Sequence, residues 1–273
     1  MKTKRDVIGL IPAAGKASRI SPLPCSKELF PVGFRYVENS NTLRPKVVSH
    51  YLLEKMRIAN VTKAYIILRK GKWDIPSYYG DGKLLDMHLA YLIMDLPYGV
   101  PFTLDQAYPF VKDSMIALGF PDMIFYPDDA FIELLAKQEE AGSDIVLGLF
   151  PAHKPHKTDM IELDEEGTAQ MIHIKPDSTQ LLYAWEIAVW TPVFTSFMHK
   201  YVVSMQEKYR INKPGTSGES AELHVGDVIQ AAIKDKMRID SVLFKEGKCL
   251  DIGTPEDLMD ALHANLAKAN QGD

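Results

Sequence analysis

The segment Val7-Ile-Gly-Leu-Ile-Pro-Ala-Ala-Gly-Lys-Ala-Ser-Arg19 decides how the rest of the chain is interpreted. Its first five residues form a short apolar run with β-branched side chains, which ends at Pro12 and predicts a buried strand. The residues that follow are rich in Ala, Gly and Ser, and they predict a loop. In open α/β sheets ligands bind beyond the carboxyl ends of strands, so this loop is the first candidate site.

Strand-like and helical patterns alternate through the first half of the chain. Apolar residues recur at helical spacing over residues 47–59, and the β-branched run Ala64–Leu68 follows as a strand. Further helices are predicted over residues 83–93, 111–118 and 130–141, and further strands over 123–126 and 144–150. This alternation predicts an α/β protein with a layered sheet.

The second half has a different pattern, in which strand-like runs are separated by turn sequences such as Asp-Glu-Glu-Gly and Pro-Asp-Ser. These strands are predicted over residues 160–163, 169–174 and 182–190, and they favour a mixed sheet. Helices over 193–209 and 221–234, a strand over 239–244 and a closing helix to about residue 269 complete the chain. The loop-like segment Asn212–Ser220 is a candidate mobile lid.

Composition and charge exclude several classes of protein. The chain has 273 residues, and 31 Lys and Arg against 36 Asp and Glu give a net charge of −5 without a basic stripe, so no nucleic-acid partner is expected. No apolar run approaches the ~20 residues of a membrane-spanning helix. The start of the sequence lacks a secretory pattern, and Cys25 and Cys249 are too far apart for a disulfide scaffold. We therefore expect a cytoplasmic protein without a membrane partner.

The loop over residues 12–19 packs small residues beside two cations, Lys16 and Arg19. Small residues allow backbone N–H groups to approach an anion closely, so the loop fits a phosphate cradle. It fits equally well an Ala- and Gly-rich turn with two solvated cations. It is not a P-loop, because the glycine spacing differs and Ala17 follows the lysine. It is not a dinucleotide fingerprint either, because that motif needs three glycines and only Gly15 is present.

Together with four later segments, this loop resembles the motifs of the sugar-1-phosphate nucleotidyltransferases, which include glucose-1-phosphate thymidylyl- and uridylyltransferases. The opening pattern of that family reads A-G-G-x-G-T-R, then a proline, then K-x-L-x-P-V. The family also shares the patterns G-D-N-I-F, E-L-x-I-x-D-V and W-x-D-I-G-T-P-E-D-L. The matching parts of this chain are residues 13–19, Pro22, residues 27–32, 119–125, 222–233 and 247–258. The last segment is the most specific, and the resemblance covers about residues 6–262.

The resemblance implies a Rossmann-like three-layer α/β/α fold with a mixed central sheet, in a single domain of residues 1–273. Residues 6–150 would form the nucleotide-binding half, and residues 151–262 the sugar-phosphate-binding half with the closing metal motif. The implied reaction is Mg²⁺-dependent transfer of a nucleotidyl group from a nucleoside triphosphate, dTTP or UTP, to a sugar 1-phosphate such as glucose 1-phosphate. The family commonly forms dimers or tetramers, so a homo-oligomer is also implied.

The same resemblance implies a role for each candidate site residue. Arg19 would hold the β- and γ-phosphates, and Lys27 would lie at the α-phosphate and the sugar phosphate. The full set is catalytic Arg19 and Lys27; nucleotide-binding Ala13, Ala14, Gly15, Lys16, Ala17, Ser18 and Gly99; sugar-phosphate-binding Lys175 and Glu186; and metal-binding Asp122 and Asp251. Glu186 lies in an otherwise apolar strand, where a contact to sugar hydroxyls and a plain edge-strand glutamate fit equally well.

Several positions depart from the family pattern, among them Ala14 and Ala17, where the family has glycines, and three positions that bear on the base and the sugar. The family's glutamine that reads the base aligns near Met94, and its glycine beside the sugar ring aligns with Asp159. The family's sugar-site motif E-K-P corresponds to residues 174–176, and here its glutamate is replaced by Ile174. These departures leave two alternatives open. One is a catalytically silent regulatory protein that binds nucleotide sugars. The other is a nucleotidyltransferase for a non-sugar phosphate acceptor.

Overall fold

The computed structural model describes residues 6–37, 42–95, 98–211 and 222–269. The strands are Val7–Ala13 (β1), Pro31–Val37 (β2), Thr42–Val47 (β3), Lys63–Arg69 (β4), His88–Met94 (β5), Met115–Leu118 (β6), Met123–Tyr126 (β7), Ile145–Pro151 (β8), Met160–Leu163 (β9), Ala169–His173 (β10), Tyr183–Trp190 (β11), Ile239–Leu243 (β12) and Lys248–Asp251 (β13). The helices are Val48–Ile58 (α1), Asp74–Tyr79 (α2), Val100–Asp105 (α3), Tyr108–Val111 (α4), Ala130–Ala141 (α5), Pro192–Ile211 (α6), Val225–Lys234 (α7) and Pro255–Ala269 (α8).

Within these described ranges, nine strands form one mixed sheet at the centre of the molecule. β1 pairs in parallel with β4 and β6, and β4 pairs in parallel with β5. β11 runs antiparallel to both β6 and β8, while β12 lies parallel to β8. β9 and β10 form an antiparallel pair beside β11. The prediction of a mixed central sheet is confirmed.

Helices cover both faces of this sheet and give the predicted three layers. On one face, α3, α6 and α7 bury side chains such as Phe102, Phe194 and Val228. On the other face, α1 and α5 bury Leu52 and Phe131. Burial of one such side chain stabilises the fold by roughly 1.5–3 kcal/mol, so the two apolar layers hold the sheet between them.

The strand predicted at the start of the chain is β1, and its end places the first loop at the carboxyl edge of the sheet. A Cβ on Gly9 would lie 2.9 Å from Ala64 Cβ and from Met56 Sδ, so glycine allows α1 to pack close to the sheet here. Ala13 and Ala14 are both buried, but they pack in the apolar layers on opposite faces. The loop therefore leaves the sheet from a fixed, tightly packed position.

The helix predicted over residues 83–93 is wrong. Residues Lys83–Leu85 form a single 3-10 turn, and residues His88–Met94 form β5, in parallel register with β4. This segment is almost continuously apolar, so its hydrophobic pattern fits a helix and a strand equally well. The helix predicted over 111–118 is also wrong, because α4 ends at Val111 and a separate short apolar run, Met115–Leu118, forms β6.

Two further findings bear on the sequence predictions. The candidate lid Asn212–Ser220 lies outside the described residues. In the part of the chain that is described, no helix combines the length and the apolar character needed to cross a membrane. The division into two halves at residue 150 stays a prediction, and the central sheet takes strands from both sides of that boundary.

Candidate active site

The two aspartates assigned to metal binding lie side by side at one end of a separate two-stranded sheet, with Asp122 directly before β7 and Asp251 at the end of β13. β7 and β13 pair in antiparallel register with Asp251 opposite Met123. The Ile252 N–H donates a hydrogen bond of 3.1 Å to the backbone oxygen of Asp122, one step further along the ladder. Residues distant in sequence are thus brought together by backbone pairing.

Lys27 lies against Asp122. Its ammonium group forms an ion pair and hydrogen bond with Asp122, and both side chains are less than one-fifth exposed. Burial alone would lower the pKa of Lys27, but the Asp122 charge outweighs it and raises this pKa. Burial would likewise raise the pKa of Asp122, yet the Lys27 charge holds it below the ordinary value. Both groups are therefore charged at neutral pH.

Asp251 is in a different electrostatic state from Asp122. Burial, with a further contribution from the Asp122 charge, raises the pKa of Asp251 to about 6. Its Oδ1 atom is buried and has no hydrogen-bond partner among the described residues. A buried carboxylate oxygen without a partner costs free energy, and a bound cation would stabilise its charged form.

Arg19, at the end of the first loop, extends its guanidinium group toward Asp251. A Cβ on Gly253 would lie 2.8 Å from Asp251 Oδ2 and 3.0 Å from Arg19 Nη2, so both groups lie over this glycine. The Arg19 charge also acts to lower the pKa of Asp251, against the effect of burial. Gly253 was not among the predicted site residues, although its place in the D-I-G-T-P motif could have indicated it.

The first loop presents its backbone and cations to solvent. Gly15, Lys16 and Ser18 are exposed, whereas the two alanines before them belong to the core. Ala17 has a φ of +54°, a left-handed conformation that favours glycine. The family has a glycine at this position, so the loop keeps a glycine-like backbone although its residue is alanine.

Gly99 begins α3 and lies close to the segment before α7. Its φ is +126°, and a Cβ there would lie 2.1 Å from the backbone oxygen of Leu223, so only glycine fits. Met94, where the family's glutamine aligns, is buried in the same apolar cluster as Phe102 and Leu223. This side chain therefore packs in the core and offers no hydrogen bond to a base.

Glu186 lies at an irregularity in its strand, β11. The register of β11 against β8 shifts between Trp185 and Ile187, which is a β-bulge with Glu186 at its centre. Burial raises the pKa of Glu186 to about 8, with further contributions from Asp251, Asp159 and Asp122. The bulge thus places this glutamate beside the aspartate pair.

Lys175 and Asp159, which align with the sugar-binding part of the family, interact electrostatically. Burial raises the pKa of Asp159, and the charges of His224 and Lys175 oppose that effect. The Oδ1 atom of Asp159 is buried without a partner in the described ranges, and a Cβ on Gly226 would lie 2.5 Å from its Oδ2 atom. The Lys175 charge therefore acts on Asp159, and Glu186 interacts electrostatically with both Asp159 and the aspartate pair.

The donor groups of Asp122 and Asp251 fit a hard divalent cation. Carboxylate oxygens are the ligands that Mg²⁺ prefers, and Mg²⁺ usually takes only one or two of them from the protein. Across the described ranges, no group of three or more His, Cys, Asp or Glu side chains is arranged to hold a metal. A cation here would therefore complete its coordination with phosphate oxygens and water.

Comparison with known families agrees with this geometry. The model of a family described as Nucleotidyl transferase matches residues 8–268. The chain belongs to this family. The prediction of a sugar-1-phosphate nucleotidyltransferase from short motifs is confirmed at the level of the family, and the protein is a nucleotidyltransferase enzyme.

Individual relatives of this nucleotidyltransferase are distant but extend over nearly its whole length. A glucose-1-phosphate thymidylyltransferase of Neisseria gonorrhoeae is 22% identical over 93% of this chain and 80% of its own. One from Mycolicibacterium smegmatis is 23% identical, with the same coverage. Among solved structures, UDP-glucose pyrophosphorylase complexed with UDP-glucose has a TM-score of 0.72 at 17% identity, covering 96% of this chain and 98% of that one. This structural likeness confirms the fold.

Proposed function

We propose that this enzyme transfers a nucleotidyl group from dTTP or UTP to a sugar 1-phosphate such as glucose 1-phosphate, with Mg²⁺ as cofactor. An oxygen of the sugar phosphate forms a bond to the α-phosphorus, the bond from that phosphorus to the β-phosphate oxygen breaks, and pyrophosphate leaves. One observation carries the proposal: Arg19, Lys27 and Asp122 surround Asp251, one oxygen of which is buried without a described partner.

The residues of the chain would act mainly by binding and orienting two polyanions. Two like unit charges 4 Å apart repel by about 1 kcal/mol even in water, and by more in a less polar cleft. Arg19 would bind the β- and γ-phosphates, and the loop 13–18 would donate backbone N–H groups with Lys16 beside them. Lys27 would stabilise the charge that develops between the α-phosphate and the acceptor phosphate.

The aspartate pair would hold the cation, and Gly99 would lie on the nucleotide side of the site. Asp122 and Asp251 each offer a carboxylate oxygen, and Asp122 is kept charged by Lys27. When bound, Mg²⁺ neutralises phosphate charge and orients the reacting groups. Lys175 would bind the sugar phosphate and Glu186 the sugar hydroxyls, within residues 151–262.

The choice of substrates rests on the relatives. The relatives described above are named glucose-1-phosphate thymidylyltransferases, and a structural neighbour was solved with UDP-glucose. The test is pyrophosphate release with each nucleoside triphosphate, Mg²⁺ and a panel of sugar 1-phosphates. We expect the fastest release with dTTP or UTP and glucose 1-phosphate, and none after Mg²⁺ is chelated. Absence of release with every pair would contradict the proposal, and ligand binding without turnover would favour the silent regulatory alternative.

A second candidate function is transfer to a phosphate acceptor that is not a plain sugar. The carboxylate of Asp159 stands where the family has a glycine beside the sugar ring, and Glu186 adds a second acidic group. Carboxyl groups favour an acceptor with several hydrogen-bond donors or with a positive charge. The same assay, extended to polyol phosphates and phosphocholine, separates the two candidates by which acceptor gives the higher kcat/KM.

A further inference from the structure

The segment that carries Lys27 has little intrinsic stability. It is a single 3-10 turn of three residues, Lys27–Leu29, between an irregular loop and β2. A turn of this length has too few hydrogen bonds to hold its own conformation. The position of the Lys27 ammonium group must therefore be set by contacts from other parts of the chain.

On the amino-terminal side, one carboxylate holds the turn with two hydrogen bonds. The Ser26 N–H donates to Asp74 Oδ2 at 2.6 Å, and the Ser26 hydroxyl donates to Asp74 Oδ1 at 2.7 Å. Burial would raise the pKa of Asp74, but these hydrogen bonds outweigh it and hold the pKa below the ordinary value. Asp74 is therefore charged at neutral pH, and its bonds to Ser26 are of the stronger, charge-assisted kind.

On the other side of Lys27, a buried ion pair and a hydroxyl hold Glu28. The Lys72 ammonium group lies 2.5 Å from Glu28 Oε1, and the two side chains are only 4% and 2% exposed. The Ser49 hydroxyl donates a hydrogen bond of 2.6 Å to the backbone oxygen of Glu28. The residues on both sides of Lys27 are thus fixed by charged groups.

Lys72 and Asp74 come from one short segment between β4 and α2. We propose that they are positioning residues for the reaction: they hold residues 26–28 so that the Lys27 ammonium group stays against Asp122. This inference rests on the proposed function for Lys27, and neither Lys72 nor Asp74 is placed in contact with a substrate. It assigns a role to a segment that carries none of the family motifs.

A purely structural role would leave the buried pair unexplained. Apolar side chains of similar volume commonly stabilise a protein as well as, or better than, a buried ion pair. An ion pair differs in that it fixes the relative orientation of its two side chains, because charge and hydrogen-bond geometry select one arrangement. The pair lies next to Lys27, whose ammonium group must be held in a defined position. A shift of about 1 Å at a reacting group can lower a rate by about 10²-fold.

The first experiment compares Asp74→Ala with Asp6→Ala. Asp6 also forms an ion pair with a lysine, Lys63, but both side chains are more than half exposed. For Asp74→Ala we expect kcat for pyrophosphate release to fall by about tenfold or more with little change in KM for the nucleotide, because the misplaced group acts in the transition state. For Asp6→Ala we expect both constants to stay at their wild-type values.

The second experiment needs no substrate. Each lysine is acetylated with a limiting amount of acetic anhydride, and the extent of labelling is measured by mass spectrometry. The Lys27 side chain is only 14% exposed and is paired with Asp122, so we expect slow labelling in the wild type and labelling several-fold faster in Asp74→Ala. Lys70, whose side chain is 76% exposed, provides the internal control and should label equally in both proteins.

The double variant Glu28→Gln/Lys72→Met removes the buried pair without leaving one charge unpaired, so it keeps the test valid if a single variant fails to fold. Faster labelling of Lys27 in either folded variant supports the proposal. Wild-type labelling of Lys27 in both folded variants overturns it, whatever the kinetics. Faster labelling in a protein whose wild type releases no pyrophosphate with any substrate pair would leave the positioning role standing and refute the proposed function.

Discussion

The candidate site has two sides that differ in how the fold stabilises their charged groups. On the donor side, defined here as Arg19, Lys27, Asp122 and Asp251 with the turn around them, Lys27 is paired with Asp122 and the neighbouring Glu28 with Lys72. On the acceptor side, defined as Asp159, Lys175 and Glu186, the carboxyl groups have raised pKa values because burial and other carboxylates disfavour their charge. The fold therefore sets the donor geometry in advance, whereas the charge of the acceptor side depends strongly on what binds there.

This difference suggests where reaction and selectivity reside. Groups that are already paired and oriented can stabilise a transition state without reorganisation. Carboxyl groups that are destabilised by burial gain most from a ligand that donates hydrogen bonds or carries positive charge. Changes on the donor side should thus alter kcat, and changes on the acceptor side should alter which acceptor is used.

The largest effect is expected from removing the donor-side charges. Lys27→Ala and Asp251→Asn should each lower the rate of pyrophosphate release by at least about 10²-fold, because each removes electrostatic stabilisation of the phosphates. Circular dichroism should show an intact fold. Lys63→Ala, which removes an exposed lysine of an ion pair, serves as the control. A near-wild-type rate in either site variant would show that its assigned role is wrong.

A smaller effect is expected from crowding the space over Gly253, where Arg19 and Asp251 both lie. Gly253→Ala adds a Cβ about 2.8 Å from Asp251 Oδ2, which is closer than atoms normally approach, so the carboxylate must move. We expect the Mg²⁺ concentration that gives half-maximal rate to rise by about tenfold, since a 1.4 kcal/mol loss corresponds to that factor. A titration of rate against Mg²⁺ measures it. An unchanged Mg²⁺ requirement would mean that Asp251 does not bind the cation.

Much of the donor side could be predicted from the sequence, because short motifs carry it. Arg19, Lys27, Asp122 and Asp251 each lie in a segment of distinctive spacing, and the structure brings these segments together, while their roles stay predictions. The other apolar runs of the sheet were also predictable, but β6 was predicted as part of a helix, and so was β5. Its residues are apolar on both faces, so periodicity could not separate a strand from a helix.

The remaining features depend on contacts between distant parts of the chain. Asp74 meets Ser26 across 48 positions, and nothing in the local sequence around either residue indicates that pairing. The bulge that directs Glu186 arises from the register between β11 and β8, which a single strand does not encode. Such features are decided by packing, so the sequence pattern alone could not predict them.

An intermediate effect tests the acceptor side. Glu186→Gln keeps the shape of the side chain but cannot ionise, whereas Glu186 with a pKa of about 8 is charged above that pH. At pH 9 we therefore expect KM for the acceptor to rise by roughly tenfold through loss of one charged hydrogen bond. KM for the nucleotide should stay the same. The control is Glu162→Gln, on the exposed surface of β9. If KM for the nucleotide rises instead, Glu186 belongs to the donor side and the comparison of the two sides fails.

The smallest effect concerns strain in the donor loop. Ala17 adopts a φ of +54°, which costs an L-residue roughly 1–2 kcal/mol relative to glycine, partly offset by the greater freedom of glycine in the unfolded chain. Ala17→Gly should therefore raise the free energy of unfolding by up to about 1 kcal/mol.

The matched control is Ala14→Gly, three residues earlier in the same loop, where the buried methyl group packs in the core and φ is not positive. That variant should lower the free energy of unfolding by about 1 kcal/mol or more, because it loses apolar burial and adds backbone freedom. Urea unfolding of both variants measures the difference. Opposite signs would locate the strain at Ala17, whereas destabilisation by both changes would show that the loop relaxes around alanine and stores no strain at that residue.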